Sequence, residues 1–160
     1  MRYFLVLFLT ISGLISSAQD KSFQEQLGKL IPLIEKSHSN MATVAMYQVI
    51  DKNPEAMVLT LEAKEENTIQ RLNEQVELDF QLLDDFYALP TPEGVKLVVM
   101  FQEPLLFKEA KTEFANLFHE EIEEENLREN NEIWFNFQQE EDANDMESAL
   151  TGLKKLLNSH

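Results

Sequence analysis

The sequence predicts an α+β domain, a small antiparallel or mixed sheet of about four strands packed by about four helices, in the order α-β-β-α-β-α-β-α. Three observations predict it. Gly94–Phe101 (Gly-Val-Lys-Leu-Val-Val-Met-Phe) is a run apolar on both faces, the mark of a strand interior to its sheet and covered on both sides. Stripes of apolar residues at helical spacing occur both before and after it. Beyond an N-terminal leader stand 142 residues, enough for one domain with a core of its own.

The leader is Met1-Arg2, an apolar run from Tyr3 to Ile15, then Ser16-Ser17-Ala18. A positive start, a short greasy middle and small residues before a cut are the pattern of a secretory signal peptide, with cleavage after Ala18. The run is shorter than the roughly 20 residues that a bilayer core requires. Residues 1–18 are thus expected to be removed, leaving 19–160 as a single exported domain, periplasmic or secreted, with no stable membrane insertion after cleavage. The chain has no cysteine. That excludes disulfides, zinc-thiolate sites and thiol nucleophiles, and it favours a Gram-negative periplasm or the exterior over a disulfide-rich secretory route.

The elements come in order along the chain. Ser22-Phe23-Gln24-Glu25 is a capping box, and Phe23, Leu27, Leu30, Ile31 and Ile34 continue it as a helix over Ser22–Lys36, with Pro32 imposing a kink or an early end. Met41–Ile50 and Ala56–Ala63 are rich in strand formers and flank the turn signal Asp51-Lys52-Asn53-Pro54-Glu55, so a hairpin is expected. Over Glu66–Ala88 two periods compete. Ile69, Leu72, Val76, Phe80, Leu83 and Tyr87 make a helical stripe, while Val76, Leu78, Phe80 and Leu82 alternate with polar residues as in a strand. The stripe spans more residues and predicts a helix, at the cost of leaving Leu78 and Leu82 on its far side.

Val95–Phe101 is the central strand. Pro104 then stands where a first helical position belongs, and Phe107, Ala110, Phe114, Leu117, Phe118 and Ile122 predict a helix over Pro104–Glu125. Ile133–Gln138 alternates as a strand. A last helix over Asn144–Leu157 buries Met146, Leu150, Leu153 and Leu157, is capped by Asp142 or Asn144, and carries Lys154 and Lys155 near its C-terminus.

Charge narrows the partners. The net charge is −16, or −17 once Arg2 is lost with the leader, which argues against nucleic acid and anionic membranes. Between Glu120 and Glu147 stand twelve acidic residues and, against them, only Arg128. Such a run is most simply a solvated surface; the sharper reading is a face for a protein partner with a basic surface or for loosely held divalent cations.

No chemistry stands out. His119 and Glu123 lie one turn apart on the expected helix and are the candidate metal pair, yet the second imidazole of H-E-x-x-H is absent and a surface histidine beside glutamates explains them as well. Asp142-Ala143-Asn144-Asp145 lacks the glycine and the bidentate glutamate of a calcium loop. Asp84-Asp85 is one acidic pair among many, and a catalytic pair needs two distinct environments. With glycines only at 13, 28, 94 and 152, neither a phosphate-binding loop nor a dinucleotide fingerprint is formed. No catalytic residue and no cofactor is assigned. Trp134 is the candidate ligand contact: beside Asn136 and Gln138 on a strand, its indole suits a sugar or an apolar peptide side chain, unless the last helix covers it.

The leading expectation is a non-enzymatic, acidic, exported binding or accessory protein. A carboxylate- and histidine-based enzyme, metal-assisted through His119, and a purely structural envelope protein are the alternatives.

Overall fold

The computed structural model describes residues 22–38, 45–53, 55–66, 70–115 and 120–159, the side chains of 114–123 excepted. Helix α1 covers 22–34. Strands β1 (Tyr47–Asn53), β2 (Val58–Glu66), β3 (Gln70–Asp79), β4 (Leu83–Thr91), β5 (Gly94–Ala115) and β6 (Glu120–Phe137) come next, and helix α2 (Glu140–Leu157) ends the described chain. All six strands form one antiparallel sheet. Among the described residues no helix is long and apolar enough to cross a membrane.

The 22-residue β5 is the spine. One of its edges pairs with β6 along nearly its whole length. The other edge is shared: Val95–Phe101 meets β4, and Phe107–Glu113 meets β3. Strands β3 and β4 are joined by a single 3-10 turn, Phe80–Leu82, opened by the Asp79 carboxylate accepting from the Gln81 amide at 2.9 Å. The sheet is therefore a meander of five positions, with β3 and β4 occupying the third in tandem.

Two of the four expected helices are strands. Over Glu66–Ala88 the period of two prevails because β2 offers a matching apolar row: Leu59 lies opposite Leu78 and Leu61 opposite Val76. As a helix the segment leaves Leu78 uncovered, whereas in the sheet Leu78 is fully buried. Over Pro104–Glu125 the apolar stripe gives way to the second half of β5 and the first half of β6, joined through residues 116–119, which lie outside the described residues. Pro104 opens no helix; it lies in an irregular stretch of β5, between Met100 and Leu105, where the register with β6 shifts. A missing N–H is tolerated in a bulge.

The other elements stand near their expected places. The hairpin of β1 and β2 is antiparallel, with a bulge between Val49 and Asp51; the earlier part of the expected strand, residues 41–44, lies outside the described residues. Helix α1 ends two residues after Pro32. Helix α2 starts at Glu140, ahead of the expected caps; its N-cap, Gln139, makes no side-chain capping bond, and Glu140, Glu141 and Asp142 occupy the first turn, where the helix dipole favours acids.

Both helices pack on one face of the sheet. The core joins Leu27, Leu30 and Ile34 of α1 and Met146, Leu150 and Leu153 of α2 to Leu59, Leu61, Leu78, Leu97, Val99, Ile133 and Phe135. The sheet is rolled enough for its first and last strands to meet on this inner face: the Tyr47 and Phe135 rings form an edge contact with centroids 5.6 Å apart. His38 seals the seam. Its backbone bridges Asn136 at the end of β6 and Met46 at the start of β1. At the β4–β5 turn, Gly94 has φ +143°, and a Cβ there would stand 2.0 Å from the Phe137 carbonyl, so only glycine fits.

Candidate functional site

On the face away from the helices, the ends of β4, β5 and β6 and the seam residue His38 form an open groove of about 480 Å3. Alternation along β6 sets it up: Ile133, Phe135 and Phe137 point into the core, so Trp134 and Asn136 point outward. Trp134 lies opposite Val98, which is buried on this outer face, and the indole is half-buried. Helix α2 packs on the opposite face and does not cover it. The indole N–H donates to the Glu132 carboxylate at 2.8 Å, and the Lys96 ammonium stands 3.9 Å from the ring centroid. Thr91, Glu93, Asn136, Gln138 and His38 complete the polar lining. The Asn136 amide donates to the His38 carbonyl at 3.2 Å, tying the groove wall to the seam. An aromatic floor, one ammonium, one carboxylate, two amides and a hydroxyl can hold a flat or apolar group and orient it by hydrogen bonds.

A second polar cluster lies on the inner face, where β3, β5 and β6 extend the sheet. Glu74, whose side chain is 2% exposed, accepts from the Tyr47 hydroxyl at 3.1 Å and from the Arg128 guanidinium at 3.0 Å. Arg128 also donates to Glu109 at 2.7 Å and lies over the Phe107 ring, 4.2 Å from its centroid. Burial pushes the Glu74 carboxyl above its ordinary value, against the opposing pull of Tyr47 and Arg128. Burial works against the Arg128 charge, but the two carboxylates more than offset it and hold the guanidinium above its ordinary range. Sequence reasoning passed over this cluster. Its one visible signal was Arg128, the lone cation in the acidic run.

The other sequence candidates separate. Glu123 lies in strand β6, so the helical turn expected to bring it beside His119 is absent, and His119 itself lies outside the described residues. Asp85 takes an ion pair from Lys154 at 2.9 Å, whose hydrogen bond lowers its carboxyl below the ordinary value. Asp142 pairs with Lys36 at 2.6 Å, linking the end of α1 to the first turn of α2. Among the described residues, no group of three or more metal-ligating side chains is assembled.

Compared with protein-family models, with curated proteins and with solved structures, the chain matches none.

Proposed function

We propose that the protein is an exported, non-catalytic binding module that holds its ligand against Trp134, in the periplasm or outside the cell. The observation that supports this most is the setting of that indole: half-buried, on the face the helices leave open, in a groove lined by Lys96, Asn136 and Gln138. A tryptophan serving the core alone has no need of an open groove beside it. The ligand chemistry that suits the groove is a sugar ring or an apolar peptide side chain, each with polar groups for the amides to bond. The acidic run is the module's second contact surface, facing a protein partner with a basic surface. Export rests on the leader, and the exported product is expected to begin at Gln19.

Trp134 is the only tryptophan, so fluorescence reports on this groove alone. Titration with a panel of oligosaccharides and short apolar peptides is expected to give a saturable emission change for one class, lost on replacing Lys96 and Asn136 by alanine. A flat response across both classes, with no shift in melting temperature, would overturn the proposal.

A further inference from the structure

The Glu-rich segment forms the last strand of the sheet. One edge of β6 pairs with β5; on the other, among the described residues, only His38 bonds, at Asn136. Among the described residues nothing else meets that edge, so the stretch from Glu124 to Asn131 presents a row of backbone donors and acceptors with no described partner. Its outward side chains alternate Glu125, Leu127, Glu129, because Arg128 between them turns inward to Glu74. Leu127 is 71% exposed, the most exposed of the large apolar side chains in the described chain, and Leu106, diagonal to it on β5, is 42% exposed. Sheet edges are usually blunted by charged side chains, lysine above all, by proline or by a covering element; here the charge is carboxylate, which repels acidic strands and attracts basic ones. This stretch contains neither lysine nor proline and sets an aliphatic side chain between two carboxylates. A second copy of the same strand would bring those carboxylates together, in a chain of net charge −16.

We propose that the free edge of β6 between Glu124 and Asn131 takes a basic polypeptide segment in extended form as an added strand. Its cationic side chains, two residues to either side of an apolar one, meet Glu125 and Glu129 while the apolar side chain covers Leu127. Backbone bonds supply the affinity and the alternating side chains the selectivity. The inference rests on the acidic run being the partner-facing surface, and it adds the partner's conformation and its pattern.

The test uses the full exported chain and a labelled, acetylated heptapeptide, Thr-Lys-Thr-Val-Thr-Lys-Thr, with anisotropy read at low and at physiological salt. Binding that weakens at least about tenfold when alternate backbone nitrogens are methylated supports the proposal. So does a similar loss in Leu127→Arg, an exposed position whose replacement leaves the core intact. Equal affinity for the methylated peptide overturns strand addition while leaving a basic partner in place. No binding of either peptide overturns both readings. Sedimentation showing a dimer of the chain that Leu127→Arg dissociates would assign the edge to a second copy and overturn the proposal as well.

Discussion

Replacing Arg128 by methionine tests whether the inner-face cluster is held by charge. Methionine keeps an apolar stem over the Phe107 ring but removes the cation from Glu74, which has almost no access to water. The buried carboxyl must then stay ionised without its partner or take up a proton. The first choice costs about 3–5 kcal/mol. The second costs, at pH 7, the distance from an ordinary value of 4.5, a ceiling of about 3.4 kcal/mol. Since burial already holds the carboxyl above that value in the intact protein, the expected loss falls below that ceiling. The sign comes from the raised folded value. Stability from such a group is fully present below its unfolded value, near 4.5, and is lost as pH rises through the folded one. Removing Arg128 moves the folded value further up, so the deficit of Arg128→Met opens between about pH 4.5 and pH 7 and closes below about pH 4.5. Urea melts followed by Trp134 fluorescence at the two ends of that range measure it. Adding Glu74→Gln restores most of the loss at neutral pH, because the carboxamide oxygen still accepts from Tyr47 and requires no cation. An equal deficit at both pH values, unrelieved by Glu74→Gln, would refute the electrostatic account and leave packing as the cause.

Gly94→Ala is expected to cost about 3 kcal/mol in chemical denaturation, since the new Cβ collides with the Phe137 carbonyl at a positive φ; a loss below about 1 kcal/mol would place that carbonyl elsewhere. Leu150→Ala, at a fully buried position of α2, should lose about 2–5 kcal/mol, whereas the exposed Leu127→Ala should be nearly neutral. Lys96→Met removes the cation over the indole: stability should change by less than about 1 kcal/mol, while quenching of Trp134 by iodide, an anion the ammonium attracts, decreases. Unchanged quenching would mean that the ammonium does not stand over the ring.

The parts of the fold legible in the sequence were those where one period stood alone. Val95–Phe101 is apolar at every second position and nearly so between, and it is the spine; Leu27, Leu30 and Ile34, and Met146, Leu150 and Leu153, form helical stripes with no competing alternation, and both are helices. Glu66–Ala88 carries both periods, and the deciding influence, the row Leu59–Leu61 waiting on β2, is a tertiary one that a segment read by itself does not contain. The hairpin of β5 and β6 was hidden for another reason. Its connection, Asn116-Leu117-Phe118-His119, holds no glycine or proline, and Phe107, Ala110 and Phe114 fall at helical intervals, so nothing marked a reversal. Of the candidate residues, Trp134 could be placed because the short strand Ile133–Phe137 fixes its outward direction. Glu74 could not: one glutamate among many gives no sign that it is buried, and only Arg128, alone in its acidic surroundings, hinted at a partner.

The central claim is that residues 104–115 and 120–130 pair as antiparallel strands, the outer of which is open along one side among the described residues. Amide exchange and nuclear Overhauser contacts measured by NMR on the exported chain test this most directly. The expected result is contact between the α-protons or amides of Phe107 and Arg128 and of Lys108 and Leu127, with exchange along Glu124–Asn131 alternating between slow amides facing β5 and fast ones facing water. Sequential amide–amide contacts through 104–125 with uniform protection would show a helix there and contradict both the fold and the edge built on it.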